Sequence, residues 1–247
     1  MIIAIDGLDG SGKETTCNGL AKWFEDQKMK TYVHSFPDYS VPSGAYIKQI
    51  IGNPETLKDM PSNFKRYFMA SLFAFNRAEH FEYAYKFMDE FDINIFDRYW
   101  ASNILYQGLG LSSLELVDFA EYCHQLDISL HNPMPHVYYF IQLPYKILRR
   151  RIDTRTRKEI INDSYEKDEF QKAVYHLSEE IISDFGVIKD NNLPTPYFSV
   201  YNAVIKPYSY DHYNHIIEYD AETVVEMIIK ELGDRISLNP KEVSRND

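Results

Sequence analysis

The stretch Met1-Ile-Ile-Ala-Ile-Asp-Gly-Leu-Asp-Gly-Ser-Gly-Lys-Glu-Thr-Thr16 decides the fold. Ile2 to Ile5 is a short apolar run of mainly β-branched residues, the pattern of a buried strand. Asp6-Gly7, Gly10 and Gly12 cut it off. Past Lys13 the apolar residues Cys17, Leu20, Ala21 and Phe24 return at helical spacing on one face. Gly7-x-x-x-x-Gly12-Lys13 therefore lies between a strand and a helix, the context that a phosphate-cradling P-loop requires. Glycines let successive N–H groups converge, the helix start adds partial positive charge, and Lys13 supplies a full mobile one. One letter departs from the motif. The Ser or Thr that should follow the lysine and hold Mg2+ is Glu14, with Thr15 behind it.

Outward from this stretch, 247 residues suffice for one α/β domain with a full core. A 26% charged fraction and 45% hydrophobic content are those of a soluble globular chain, and 20 Tyr with 15 Phe imply a ring-rich core or interface. The net charge of −11 argues against a general affinity for nucleic acid. No apolar run approaches membrane-spanning length, and the chain enters its first strand without a basic leader, so no membrane partner and a cytoplasmic location are expected. Cys17 and Cys123 sit in apolar helical patterns, as buried thiols do.

Strand patterns at Thr31–Phe36, Asp92–Phe96, His136–Leu143 and His215–Tyr219 alternate with helical ones. The longest helix runs from Ser62 to about Glu90. This alternation predicts a parallel sheet covered by helices on both faces, the three-layer P-loop NTPase-type α/β fold. Residues 149–157 hold five arginines in nine positions and open an Arg-rich lid to about 165. Residues 186–213 lack periodicity and read as an irregular insertion. A single domain thus covers 1–232, followed by a polar tail at 233–247. Asp97-Arg98-Tyr99 stands at the C-terminal end of its strand, where open α/β sheets bind ligands. The eight histidines show no metal spacing, and no Ser-His-Asp or Cys-His arrangement is supported.

Several of these pieces, in this order, resemble thymidylate kinases of the P-loop nucleoside monophosphate kinase group. Phe36-Pro-Asp-Tyr39 followed by Pro42-Ser-Gly44 is similar to the family's phosphate-side loop. Leu72-Phe73-Ala-Phe-Asn-Arg77 is similar to its base-binding helix, and Asp97-Arg-Tyr-x-x-Ser102 with Tyr106-Gln107-Gly108 to its most distinctive motif. The arginine cluster and Asp163-x-x-Glu166 fall where the family has its lid. The resemblance implies phosphorylation of dTMP to dTDP with ATP and Mg2+, and a homodimer.

Residue by residue, the resemblance puts Gly7, Gly10, Ser11, Gly12, Lys13, Glu14 and Thr15 on ATP, with Arg149 along the donor. It puts Arg98 on the acceptor phosphate with help from Tyr39, and Asp9 near the 3′-hydroxyl. Asp97 takes a Walker-B-like role on Mg2+, partly through water, with Asp9 and Glu14 as further candidates. Gly10 stands where a subset of the family has arginine, so the transition-state cation is expected from the lid, at Arg155 or Arg157. Phe36, Gln107 and Tyr165 are substrate candidates as well. Tyr106 falls beside the sugar 2′ position. Phe73 would stack on the base, and Arg77, a donor only, suits a carbonyl at position 4. Asn103 would accept from the ring N3–H.

Alternatives are a different acceptor (dUMP, a modified pyrimidine monophosphate or a deoxynucleoside) and a catalytically idle nucleotide-binding regulator, for which Glu14 is the only support. A deoxynucleoside kinase should carry a base at the 5′-hydroxyl. The Phe-Pro-x-Tyr loop offers phosphate contacts instead.

Overall fold

The structure, a computed structural model, describes residues 1–154, 165, 167–185, 203–211 and 216–235. Three strands are buried along almost their whole length: β1 (Ile2–Gly7), β3 (Ile93–Asp97) and β4 (Val137–Ile141). Such runs cannot leave a face in water, and they occupy the middle of a five-stranded sheet of order β2-β3-β1-β4-β5. Every pairing in it is parallel. β2 (Thr31–Ser35) and β5 (Ala203–Ile205) form the edges.

Alternation along β1 divides the core. Ile3 and Ile5 pack with α1 (Lys13–Asp26) and α8 (Ala221–Arg235) through Leu20, Phe24, Ile228 and Leu232. Ala4 belongs to the opposite layer, built from α3 (Ser62–Met88), α4 (Ala101–Gln107), α5 (Ser113–Ser129), α6 (Tyr145–Asp153) and α7 (Asp168–Phe185). A short helix, α2 (Pro42–Gly52), follows the loop after β2. α5 begins with a capping box, Ser112 and Glu115 satisfying each other's backbone N–H groups. The three-layer expectation holds. Both cysteines are buried free thiols. Among the described residues no helix is long and apolar enough to cross a membrane.

Within 186–213, the described residues 203–211 differ from the reading of that stretch as an irregular insertion. Residues 203–205 are β5, the edge strand beside β4, and β6 (Tyr208–Tyr210) forms an antiparallel pair with β7 (Ile216–Glu218). The stretch His215–Tyr219, expected in the main sheet, supplies that small pair instead. Three-residue strands are too short to show a period, which is why this part of the sequence looked structureless. The last helix also continues to Arg235, three residues into the expected tail.

A buried ion pair ties α3 to α5. Arg77 donates to Asp127 from Nε at 2.7 Å and from Nη2 at 2.6 Å, with the two side chains 3% and 0% exposed. Asn132 Nδ2 completes the carboxylate at 2.7 Å, and the guanidinium lies over the Tyr99 ring. Removing one partner of such a pair strands the other charge. Asp127→Ala is therefore expected to destabilise the fold by about 3–5 kcal/mol in chemical denaturation. A loss under about 1 kcal/mol would mean that the guanidinium finds water.

Candidate active site

The central strand β1 ends in the P-loop, and its neighbour β3 ends beside it at Asp97, so the two motifs meet by sheet register: Ile5 pairs with Asp97. Gly10 and Gly12 adopt left-handed backbone, with φ of 81° and 90°. A Cβ on Gly10 would meet the Leu148 carbonyl oxygen at 2.7 Å. Glycine is thus required for α6 to close over the loop, and an arginine there would push the helix away. Lys13 is buried in the loop, its Nζ donating to the Leu8 carbonyl at 2.9 Å. Burial, aided by repulsion from Arg98, pushes its pKa down to about 8, against the pull of Asp9, Asp97 and Asp6. Ser11 Oγ is buried without a partner, and Glu14 and Thr15 face solvent at the start of α1.

Arg98 sits at the end of β3 with φ of 67°, an uncommon conformation for a side chain of its size. Its Nη2 donates to Asp9 Oδ1 at 2.5 Å, and its Nη1 lies 3.3 Å from the Gly7 carbonyl oxygen. The guanidinium also lies over the Tyr106 ring. Burial opposes its charge, but Tyr106, Asp9, Asp6 and Asp97 outweigh that and hold it firmly protonated. Asp97 has the reverse problem. Burial raises its pKa although Lys13 and Arg98 pull it down, and its Oδ1 has no hydrogen-bond partner.

Helices α3 and α4, with Tyr165 and the loop that carries Tyr39, supply the opposite wall. Tyr106 Oη donates to Asp9 Oδ2 at 3.2 Å, and burial raises its pKa. Gln107 Nε2 donates to the Tyr165 hydroxyl at 3.0 Å. Asn103 Nδ2 is anchored on the Ala70 carbonyl at 3.2 Å, leaving its Oδ1 as the free end of the amide. Phe73 is half-buried on α3, beside the small cluster of Ile50, Leu57 and Met69. Tyr39 is 49% exposed in the loop between β2 and α2.

Four expectations need correcting. Phe36 is not a cleft residue. Its ring is 6% exposed and packs among His80, Phe81, Phe96 and Tyr99, so it fixes the loop from below. Arg77 is not free to read a base with its whole fork, because Asp127 holds Nε and Nη2, and Nη1 is the remaining nitrogen. Arg149 pairs with Asp153 and Asp168 on the outer side of α6, whereas Arg151 reaches the P-loop, its Nη1 3.3 Å from the Gly10 carbonyl oxygen. Asp9 is a poor metal ligand: Arg98 occupies one oxygen, and Tyr106 and Gln171 donate to the other. Arg155, Arg157, Asp163 and Glu166 lie outside the described residues.

Other site residues escaped the sequence reading. Asp6 takes hydrogen bonds from Ser102 Oγ at 2.6 Å and Tyr138 Oη at 2.8 Å, locking the start of α4 to β1. Gln171 bridges Asp9 and the Tyr165 carbonyl. Asn76 clamps the loop, accepting from Asp38 N–H at 2.7 Å and donating to the Asp38 carbonyl at 2.8 Å. Arg151 could have been found, since it falls four residues after Ile147 and three after Leu148, both on the inner face of α6. The others showed no local signal.

Hard oxygen donors are what a magnesium ion takes, with one or two carboxylates and substrate phosphates sufficing. Among the described residues no three His, Cys, Asp or Glu side chains converge as a metal site. The orphaned oxygen of Asp97, with the exposed carboxylate of Glu14 near enough to raise its pKa, fits such a hydrated ion. Asp9 does not.

A family profile described as thymidylate kinase matches residues 5–192. A protein of Thermococcus kodakarensis named "Probable thymidylate kinase" is 26% identical over 208 residues, covering 83% of this chain and 95% of the relative. A "Thymidylate kinase" of Schizosaccharomyces pombe is 28% identical over 184 residues, 74% of this chain and 78% of the relative. One from Dictyostelium discoideum, of the same name, is 26% identical over 185 residues, 74% of each.

Proposed function

The chain belongs to the thymidylate kinase family, and from that premise we propose that it transfers the γ-phosphoryl group of ATP to dTMP, giving dTDP. The observation that carries this is the meeting of Lys13, Asp97, Arg98 and Asp9 at the ends of β1 and β3, beneath a wall of base-sized aromatic and amide groups. Phosphoryl transfer asks a protein mainly to position two anionic partners and to neutralise the charge between them. Lys13 would meet the donor phosphates and Arg98 the acceptor phosphate, with Tyr39 at the loop edge. The two cations rest on protein oxygens, Leu8 and Asp9, which substrate phosphates would replace. Asp9, released from Arg98, would be free to take the 3′-hydroxyl. Arg151, anchored by Glu218 on β7, supplies a further cation over the loop in place of the arginine that Gly10 excludes. Asp97, with Glu14 close by, would hold Mg2+, which would supply neutralisation of the phosphates' charge.

The loop and the amide wall favour a monophosphate over a deoxynucleoside, because Asp9 is held by Arg98, Tyr106 and Gln171, Asp6 by Ser102 and Tyr138, and Asp97 is assigned to the metal, so none of these three carboxylates is poised as a base for a 5′-hydroxyl. A coupled assay of ADP release across the nucleoside monophosphates tests the function. Turnover with dTMP is expected, and turnover with none would leave a deoxynucleoside acceptor or the nucleotide-binding regulator. We also read the exposed rings Tyr46, Phe64, Phe75 and Tyr83 on α2 and α3 as the face that a second copy of this chain covers.

Glu14 tests the metal assignment. A carboxylate can hold Mg2+ directly or through water, and a hydroxyl in its place does the same work with less negative charge near the β-phosphate. Glu14→Thr is therefore expected to keep Mg2+-dependent activity, with KM for ATP no higher than wild type. Complete loss of turnover would show that the glutamate has a role of its own.

A further inference from the structure

Behind the loop that presents Tyr39, two histidines, a carboxylate and an amide form one hydrogen-bonded chain. His34 Nδ1 on β2 lies 2.8 Å from His80 Nε2 on α3. His80 Nδ1 lies 2.7 Å from Asp38 Oδ2, and His34 Nε2 lies 3.0 Å from Asn94 Oδ1. The protons along this chain can be counted. Asn94 Nδ2 donates to the Met88 carbonyl at 3.2 Å, so the amide oxygen is the end facing His34. His34 must therefore donate from Nε2. Burial, reinforced by His80, pushes the His34 pKa down to about 4, so this ring is neutral and its Nδ1 can only accept. The proton between the rings then belongs to His80 Nε2. At the far end Asp38 is ionised. Burial opposes that, but hydrogen bonds from His80 and Ser40 outweigh it and hold its pKa below the usual carboxylate range. Asp38 accepts from His80 Nδ1, and donating to both neighbours would put a proton on each His80 nitrogen.

Every arrangement with one proton fewer leaves a contact without a donor. With His80 protonated only at Nδ1, two bare nitrogens meet. With it protonated only at Nε2, a bare nitrogen meets the carboxylate. With His34 in its other tautomer, a bare nitrogen meets the Asn94 oxygen. An unmade buried hydrogen bond is costly, so the three contacts call for three protons on the four ring nitrogens, and the carboxylate beside His80 draws the extra one to that ring.

We propose that His80 is a positioning residue for the acceptor: as an imidazolium it clamps the Asp38 carboxylate, and through it the Phe36–Ser40 loop, in the shape that receives the acceptor phosphate. This rests on the assignment of that loop under the proposed function. The carboxylate's other oxygen accepts from Ser40 N–H at 2.8 Å and Ser40 Oγ at 2.6 Å, so the clamp sets the turn leading out of Tyr39. Asn76 holds the Asp38 backbone independently of pH. The loop sits close against the start of α2, where a Cβ on Gly44 would meet the Asp38 carbonyl oxygen at 1.9 Å.

The groups that face the chain are few. Phe36 and Phe81 present ring edges to His80, and Tyr32 presents one to His34. Tyr83, on the same helix as His80, lines the cleft beside it together with Asp38. Glu79, the preceding residue of α3, is occupied by the Ser43 N–H at 2.9 Å. Of the charges named, Asp38 is the one bonded to His80.

The sign follows from the count. The clamp needs the proton on His80, so it is closed while that proton is held and opens when rising pH removes it. At the other extreme, below about 4, His34 gains a proton and two N–H groups meet head to head.

The experiment measures KM for dTMP and for ATP, and kcat, from about pH 6 to about pH 9, a range that spans ordinary imidazole titration, in the wild type and in His80→Gln. In the wild type the dTMP KM should rise with pH. In His80→Gln it should be on the order of tenfold higher at the acid end, the cost of one charge-assisted hydrogen bond, and flat with pH, with kcat little changed. A dTMP KM profile in His80→Gln that superimposes on the wild type would overturn the inference. Imidazole nitrogen NMR of the unliganded protein reads the clamp without turnover: His80 should show two protonated nitrogens and His34 one, at Nε2. A His80 that keeps one bare nitrogen at the acid end of that pH range sinks this inference while leaving the kinase assignment standing. A doubly protonated His80 in a protein that phosphorylates no monophosphate sinks the acceptor assignment, and this use of the clamp with it.

Discussion

Lys13→Ala is expected to lower kcat/KM by about 10² to 10³, the usual loss when one cation or donor aimed at transition-state charge is removed. The structure gives the reason for a large value. Nζ is buried at the head of the P-loop, and solvent cannot replace its charge there. It also predicts the pH dependence of the wild type. With its pKa pushed down to about 8 by burial, the free enzyme loses this charge as pH rises past that value. kcat/KM for ATP, which reports the free enzyme, should fall on that alkaline limb. This limb belongs to the donor, so it is separable from the acceptor effect assigned to His80. Lys13→Ala retaining more than about a third of wild-type kcat/KM at neutral pH, with an unchanged melting temperature, would remove the P-loop assignment.

The second large effect is in the choice of base: kcat/KM for dCMP is expected to fall about 10⁴ below that for dTMP. Asn103 is the fixed point. Its Nδ2 is tied to the Ala70 carbonyl, so Oδ1 can only accept, and it suits the N3–H of thymine. Cytosine has a bare N3, which would put two acceptors together in a buried site. Arg77 adds the same polarity with its one uncommitted nitrogen, Nη1, which matches a carbonyl and opposes an amino group. The Asp127 pair that consumes the rest of its fork also fixes that nitrogen's direction. Discrimination against dUMP should be modest, because a methyl group is worth about 1–3 kcal/mol. Comparing kcat/KM for the three monophosphates decides it. If dCMP works within about tenfold of dTMP, buried hydrogen-bond polarity is not what selects the base.

The strand, loop and helix of residues 1–26 were legible in the sequence because their determinants are local. An apolar run, glycines where the backbone turns left-handed and a 3.6-residue period all act within a few residues of each other. Asp97 and Arg98 were legible for a related reason, since a strand's C-terminal end in a parallel sheet is a place set by topology. What only the tertiary structure decided are the partners of side chains. Arg77 is joined to Asp127 fifty residues on, and Phe36 is turned into the core. Arg151 faces the P-loop and Arg149 does not, because packing of Ile147, Leu148 and Ile152 sets the rotation of α6. β5 was hidden because an edge strand of three residues is ordered by its neighbour rather than by its own pattern. The chain of Asn94, His34, His80 and Asp38 joins two strands, a helix and a loop, so its proton count exists only once they meet. Periodicity tells a residue which face to take, and contact with a distant element then decides what its polar atoms are for.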